Sequence, residues 1–320
     1  MSELSAHYKA MYSDSVRELA GSPDRSLLKD FVSKESKKGS AVFIDSIGPD
    51  VPDGDAVVTA LANIKNRATY EREVEKTLAK RDAISTPHME ANKQRTLLTP
   101  KRNHWGHSFD RIEDLCEVTN PQARTIRQGM KRIWVKQDGV ILDALSAATV
   151  LRGQDESGVS AVTFPAGQVL DDIACYGATP VYFSLDTCTA IKKLFEDQYY
   201  SGKIVCVVSP KVKKEFIDHS RNQVHSMDFV DGPSYFREGK LPDINGIHFI
   251  PHPLCGDEEF YAWGPDGVCY NQFDPFEENL GIAPTECFSA IAYMREFIDA
   301  KRIDDLLVVQ GTILREAPAS

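Results

Sequence analysis

Between Asn120 and Leu145 apolar side chains return every three or four positions, at Ala123, Ile126, Met130, Ile133, Trp134, Ile141, Ala144 and Leu145. That period predicts one long helix over 120–146. Asn120 suits its N-cap and Pro121 its first turn, where a missing N–H costs nothing. At 1.5 Å per residue such a helix runs roughly 39 Å, longer than a small domain is wide. Gly129 and Gly139 each weaken it by about 1 kcal/mol relative to Ala, so tertiary packing must hold it straight. The pattern then dissolves into "SAATVLRGQDESGVS", which reads as a flexible loop.

Elsewhere the pattern is shorter. Residues 1–40 are polar and helix-tolerant, with weak amphipathic spacing. "SAVFIDSIG" predicts a strand, and Val57, Leu61, Ile64, Ala68, Val74 and Leu78 mark a helix with a very polar opposite face. The stretch "ISTPHMEANKQRTLLTPKRNHWGHSFDRIEDL" is basic, broken by Pro87 and Pro100, and predicted to be extended. Residues 41–110 therefore form a long excursion with little core of its own. From about 160 the chain alternates. "AVTFPAG", "TPVYFSL", "KIVCVVS", "GIHFIPHP" and "YAWGPDGVCYN" read as strands, and "TCTAIKKLFEDQYY" and the Ser209–Pro210-capped "PKVKKEFIDHSRN" as helices. "ECFSAIAYMREFI" and "DDLLVVQGTI" supply closing strands. The class is mixed α+β.

Composition narrows the function. The chain has 320 residues, 42% apolar and 26% charged, which is globular. No apolar run reaches membrane-spanning length, and the polar N-terminus does not read as a signal peptide, so a soluble protein that contacts no membrane is expected. A net charge of −10 excludes a binder driven by phosphate contacts along its whole surface. The charge is uneven, however. Residues 65–102 hold ten Lys or Arg against five Asp or Glu, whereas residues 241–290 hold acids and no Lys or Arg. Such opposite patches serve solubility or draw copies of one chain together. Seven scattered cysteines without a C-x-x-C motif read as reduced, buried thiols.

Candidate chemistry is thin. His104 and His107 have a metal-like spacing, but in a Pro- and Gly-rich extended segment without the Glu of H-E-x-x-H. His248, His252, Cys255, Asp257, Glu258 and Glu259 are more simply a strand end and its turn than a metal site. Asp171 and Asp172 would be the paired carboxylates of an enzyme. Phosphate loops, dinucleotide fingerprints and nucleophile elbows do not occur in the sequence. No catalytic residue, cofactor or metal is assigned. An enzyme of unknown chemistry, built on Asp171/Asp172 or His252, stays as an alternative, as does another structural protein of a virion.

The order of elements resembles the HK97-like major capsid proteins of tailed bacteriophages. "RTLLTPKRNHWGHSFDRIEDL" is similar to the returning limb of their extended loop, and "NPQARTIRQGMKRIWVKQDGVILDALSA" to their spine helix. "CVVSPKVKKEFIDHSRNQVHSMDF" and "FREGKLPDINGIHFIPHP" resemble axial-domain passages, and "AYMREFIDAKRIDDLLVVQ" the strands that return to the peripheral domain. The resemblance covers nearly the whole chain; the helical stretch 55–82 is longer than the family pattern. It implies an N-terminal arm over 1–40, an extended loop with a helical insertion over 41–110, and a peripheral domain over 111–186. An axial domain over 187–287 and a return with a C-terminal tail over 288–320 complete the expected plan. It further implies self-assembly into pentamers and hexamers of an icosahedral shell around double-stranded DNA, built in the bacterial cytoplasm. Expected partners are scaffolding, portal and decoration or cement proteins, with non-specific contact to the genome. Ile126, Met130, Ile133, Trp134, Ile141 and Leu145 would pack the spine helix, leaving Arg124, Arg127 and Lys131 for solvent or neighbours. Arg95, Lys101, Arg102 and Trp105 of the basic excursion would meet Asp257, Glu258 and Glu259 of an adjacent subunit.

Overall fold

A computed structural model of the chain describes residues 26–47, 93–109, 121–153, 159–170, 183, 185–223, 243–283 and 289–313. Its strands form three sheets. The first has the order β1-β11-β12-β4, from Ser33–Glu35, Val268–Ala283, Ser289–Arg302 and Lys101–Phe109. The second, β7-β13-β10-β8-β9, joins Val169–Leu170, Val308–Thr312, Glu259–Trp263, Ile204–Val208 and Ile247–Pro251. The third, β2-β3-β5-β6, joins Val42–Ile47, Lys93–Leu98, Thr149–Gly153 and Val159–Thr163. Among the described residues the α-helices are α1 Pro121–Ser146, α2 Leu185–Asp197 and α3 Pro210–Gln223.

Helix α1 bridges the first two sheets. Along its first half Ile126, Met130, Ile133 and Trp134 are buried against Ala292 and Met294 of β12, with Trp105 of β4 beside them. Along its second half Val140, Ile141, Ala144 and Leu145 enter a different core with Val205, Val207, Tyr261, Trp263 and Val308 of the second sheet. The second half of the helix thus meets both sheets, because Val268, Tyr270, Ile298 and Ala300 of the first belong to the same core. The second sheet is buried on both faces. Val205 and Val207 face α1, while Ile204, Cys206 and Val208 face Cys188, Ile191 and Phe195 of α2 and Val212 and Phe216 of α3. Double burial explains why β8 is an unbroken apolar run rather than an alternating one. Ser209 ends it and caps α3, its Oγ accepting from the Val212 amide at 3.2 Å.

Polar groups lock α1 in place. Arg302, fully buried on β12, donates through Nη1 to the carbonyls of Ala144 at 3.1 Å, Leu145 at 3.3 Å and Ala147, and through Nε to Asp305 at 2.8 Å. The last carbonyls of a helix have no partners of their own, and a cation there also suits the helix dipole. Arg152 binds the other oxygen of Asp305 at 3.0 Å. Mid-helix, Gln137 and Asn103 both donate to Glu296 of β12, at 2.8 Å and 2.6 Å from Oε1. Burial pushes the Glu296 carboxyl above its ordinary value, and Gln137, Lys29 and Asn103 oppose that rise.

Three expectations need correction. "SAATVLRGQDESGVS" is not all loop, because Thr149–Gly153 pairs antiparallel with both β3 and β6 and buries Val150 and Arg152. "YAWGPDGVCYN" holds two strands, β10 and β11, in different sheets, separated by the 3₁₀ turn Pro265–Gly267. Residues 26–40 are not helical beyond the 3₁₀ turn Lys29–Phe31, since Ser33–Glu35 finds a parallel partner in β11. Of the "TPVYFSL" strand only Phe183, a buried bend, and Leu185, the first residue of α2, are described; the 55–82 helix and Asp171/Asp172 lie outside the described residues.

Candidate assembly surface

The face of α1 turned away from the core carries Arg132, Val135, Lys136, Gly139 and Asp143, spaced as one helical stripe. Beside it runs β4, whose Lys101 side chain lies on the α1 side with Asn103 and Trp105, whereas Arg102 turns to the other face of the sheet towards Tyr293 and lends the groove its backbone. Between them lies a groove of about 450 Å³, completed by Leu254. Three cationic side chains, Lys101, Arg132 and Lys136, and two half-exposed aliphatic ones, Val135 and Leu254, line it. Lys101 reaches the buried Asp299 at 3.5 Å, Arg102 donates to the Tyr293 hydroxyl at 2.6 Å, and Lys136 donates to the Arg102 carbonyl at 3.0 Å. These contacts hold the charges in position without neutralising most of them.

A second hollow of about 370 Å³ adjoins the first, sharing Asp143 and Leu254, and contains Ser146, Glu259, Tyr261 and Gln310. Its character is acidic. Asp257 and Glu258 stand exposed on the turn before β10; Asp257 lies 3.8 Å from Lys211, and Glu259 accepts from the Tyr261 hydroxyl at 2.5 Å. Of the residues singled out from sequence, Lys101 and Arg102 share the groove, while Asp257, Glu258 and Glu259 share the turn beyond it. Arg95 sits apart on β3, paired with Asp45 at 2.9 Å. Trp105 is half-buried against α1 rather than displayed. Arg132, Val135, Lys136 and Leu254 were missed, although the three- and four-residue spacing of 132, 135, 136, 139 and 143 marks a second helix face.

The residues weighed for other chemistry have structural partners. His252 is buried, and its Nδ1 accepts from the Leu254 amide at 3.2 Å, which leaves the proton on Nε2 for Asp138 at 3.1 Å. Asp138 also accepts from Ser26 Oγ at 2.5 Å and from the Leu27 and Leu28 amides, tying residues 26–28 to α1. His248 binds Asp243 at 2.7 Å. Burial, then Glu259 and Asp257, push the Cys255 thiol up to about 12, so it is protonated at neutral pH. Cys188, Cys206 and Cys269 are likewise buried thiols. His104 and His107 are exposed on β4, and among the described residues no cluster of three metal-ligating side chains occurs. Among them, too, no helix is long and apolar enough to cross a membrane.

The family model described as phage capsid protein matches residues 4–314. The chain belongs to the phage capsid protein family. Solved structures agree in fold. One from Mycobacterium phage Che8 is 18% identical with a TM-score of 0.58, covering 90% of this chain and 91% of that one. The mature capsid of bacteriophage PhiM1 is 15% identical with a TM-score of 0.59, covering 91% and 88%. The capsid of Ralstonia phage GP4 is 10% identical with a TM-score of 0.57, covering 93% of each. A comparison with curated proteins gave no match. The chain is a shell-forming major capsid protein with the HK97-like fold, a structural component of a phage virion that associates with its own copies. In this capsid protein the long helix is packed along both halves, against the first sheet and then between the first and second.

Proposed function

We propose that the subunits form pentamers and hexamers of an icosahedral head around double-stranded DNA, joined by contact between the basic groove of one subunit and the acidic turn of the next. The supporting observation is that one subunit carries both a groove lined by Lys101, Arg132 and Lys136 and an exposed turn bearing Asp257, Glu258 and Glu259. A contact between two different patches is heterologous, and repeated about an axis it closes into a ring. Repetition around every subunit gives a stable shell from modest interfaces. Residues 1–40 act as arm, 41–110 as the extended loop with Arg95 and Trp105 at its base, and 111–186 and 288–320 as the peripheral domain. Residues 187–287 form the axial domain. The role is structural, without catalysis. Assembly takes place in the bacterial cytoplasm with a scaffolding protein and a portal, and decoration or cement proteins join the finished shell. The net charge of −10 keeps contact with the genome weak and non-specific.

A charge-reversal cycle tests the contact. Arg132→Glu with Lys136→Glu, or Asp257→Lys with Glu258→Lys, should each suppress particle formation, and mixing the two variant subunits should not restore closed shells as well as the quadruple variant does. Wild-type particle yield from both double variants would refute the pairing.

A further inference from the structure

Helix α2 ends in a turn that normally belongs to glycine. The Tyr200 amide donates to the Phe195 carbonyl at 3.0 Å and the Tyr199 amide to that of Glu196 at 2.9 Å. Those two bonds define the Schellman closure, with residue 199 in its left-handed position. Tyr199 has φ 55°, and such a conformation costs a residue with a side chain roughly tenfold in its local equilibrium. The turn is over-determined from within. The Tyr200 ring lies 5.6 Å from that of Phe195, and its hydroxyl donates to Lys203 O at 3.2 Å. It also slots between Gly202 and Gly264, where a Cβ would approach it to 2.5 Å and 2.7 Å. Everything needed to hold the turn is thus supplied by Tyr200 and two glycines, and a glycine at 199 would suit it better.

The chain instead places a tyrosine there and shows it to solvent. Tyr199 is 72% exposed, the most exposed of the large apolar side chains described, and no hydrogen bond or ring contact engages it among the described residues. Its position is telling. The α2–β8 turn and the 3₁₀ turn Pro265–Gly267 lie at the same end of the second sheet, where Trp263 pairs with Val205. That end is an edge of the second sheet, where strand ends and not a sheet face meet solvent. A shell subunit meets its own copies at its rims, whereas its faces meet the genome and the outside.

We propose that Tyr199 is an anchor between subunits, its ring packing on a neighbouring copy of this chain at the rim of the second sheet. The proposal rests on the shell reading. Tyrosine is a common anchor because it brings a large contact area with few torsions to freeze. The local penalty is then offset only in the assembled state, which is how strain persists at functional positions.

The test separates folding from assembly. Tyr199→Gly and Tyr199→Asn both tolerate the left-handed turn and remove the ring, and Tyr199→Phe keeps it. Dissociated Y199G subunits should melt at or above the wild-type temperature, while the protein concentration needed for particle formation rises about tenfold. Y199F should assemble near the wild-type concentration. Y199G and Y199N assembling at the wild-type threshold would overturn the proposal, as would a clear drop in subunit melting temperature, which would make the ring a folding element. If wild-type subunits form no particles under any condition, the shell reading fails instead.

Discussion

Trp105 lies against bare backbone at Gly129: a Cβ there would stand 2.6 Å from two carbons of the indole. Trp105 is on β4 and Gly129 on α1, so the helix can approach the first sheet only because one residue lacks a side chain. The glycine that weakens the helix in isolation is the notch that seats it.

Gly129→Ala should therefore destabilise the subunit by about 1–2 kcal/mol, overpacking outweighing the helical preference of alanine. Gly139→Ala should do the reverse and stabilise by up to about 1 kcal/mol, because its nearest neighbour, Leu254 Cδ1, is at an ordinary 3.8 Å. Denaturant titration of the two variants side by side distinguishes a notch from a flaw. Equal effects of the same sign would contradict the packing.

Arg302 holds three carbonyls at the end of α1 and Asp305 besides, all within the core. Replacing it with Met leaves those acceptors unpaired, with an expected loss of about 3–5 kcal/mol. Lysine should rescue little, since a single ammonium cannot copy the fork. Thermal melting of both variants checks this.

Glu296 gives a pH prediction. Its carboxyl is raised above the ordinary 4.5 by burial, so the folded state takes up the proton more readily than the unfolded chain. Its contribution to stability is then fully present below the unfolded value and is lost as pH rises through the raised folded value. The stability of wild type relative to Glu296→Gln should accordingly increase as pH falls from neutrality towards about 4.5. A difference that stays flat across that window would show that the carboxyl is not strained by burial.

Asp138 clasps residues 26–28, and His252 steadies it. His252→Ala should cost about 1–3 kcal/mol by leaving the carboxylate short of a donor. Hydrogen exchange at the Leu27 and Leu28 amides should speed up more than exchange in β8. Uniform acceleration would mean the clasp is not local.

Much of the framework was legible in the chain because it is written in local period. The α1 pattern and Pro121, the apolar run of β8 and the Ser209–Pro210 signal each depend on neighbours a few residues away. What escaped depends on distant partners. Thr149–Gly153 reads as loop because glycines and polar residues flank it, and Arg152 is an inward strand residue only given Asp305. Ser33–Glu35 is a strand only given Cys269–Asn271. The 268–283 strand was hidden by Pro275, tolerated because register irregularities between Gln272 and Glu277 bracket it. On the candidate surface, Lys101 and Arg102 stood out by local charge, but Arg132, Lys136 and Leu254 join them only once α1 lies beside β4. Tyr199 carried no signal at all, since its meaning is a backbone angle.

Electron microscopy of purified protein, expressed alone and with the other head proteins of its phage, tests the central claim most directly. Closed shells, or hexamer-sized rings that convert to shells, are the expected result. Dispersed subunits of 35.7 kDa under every one of those conditions would contradict it.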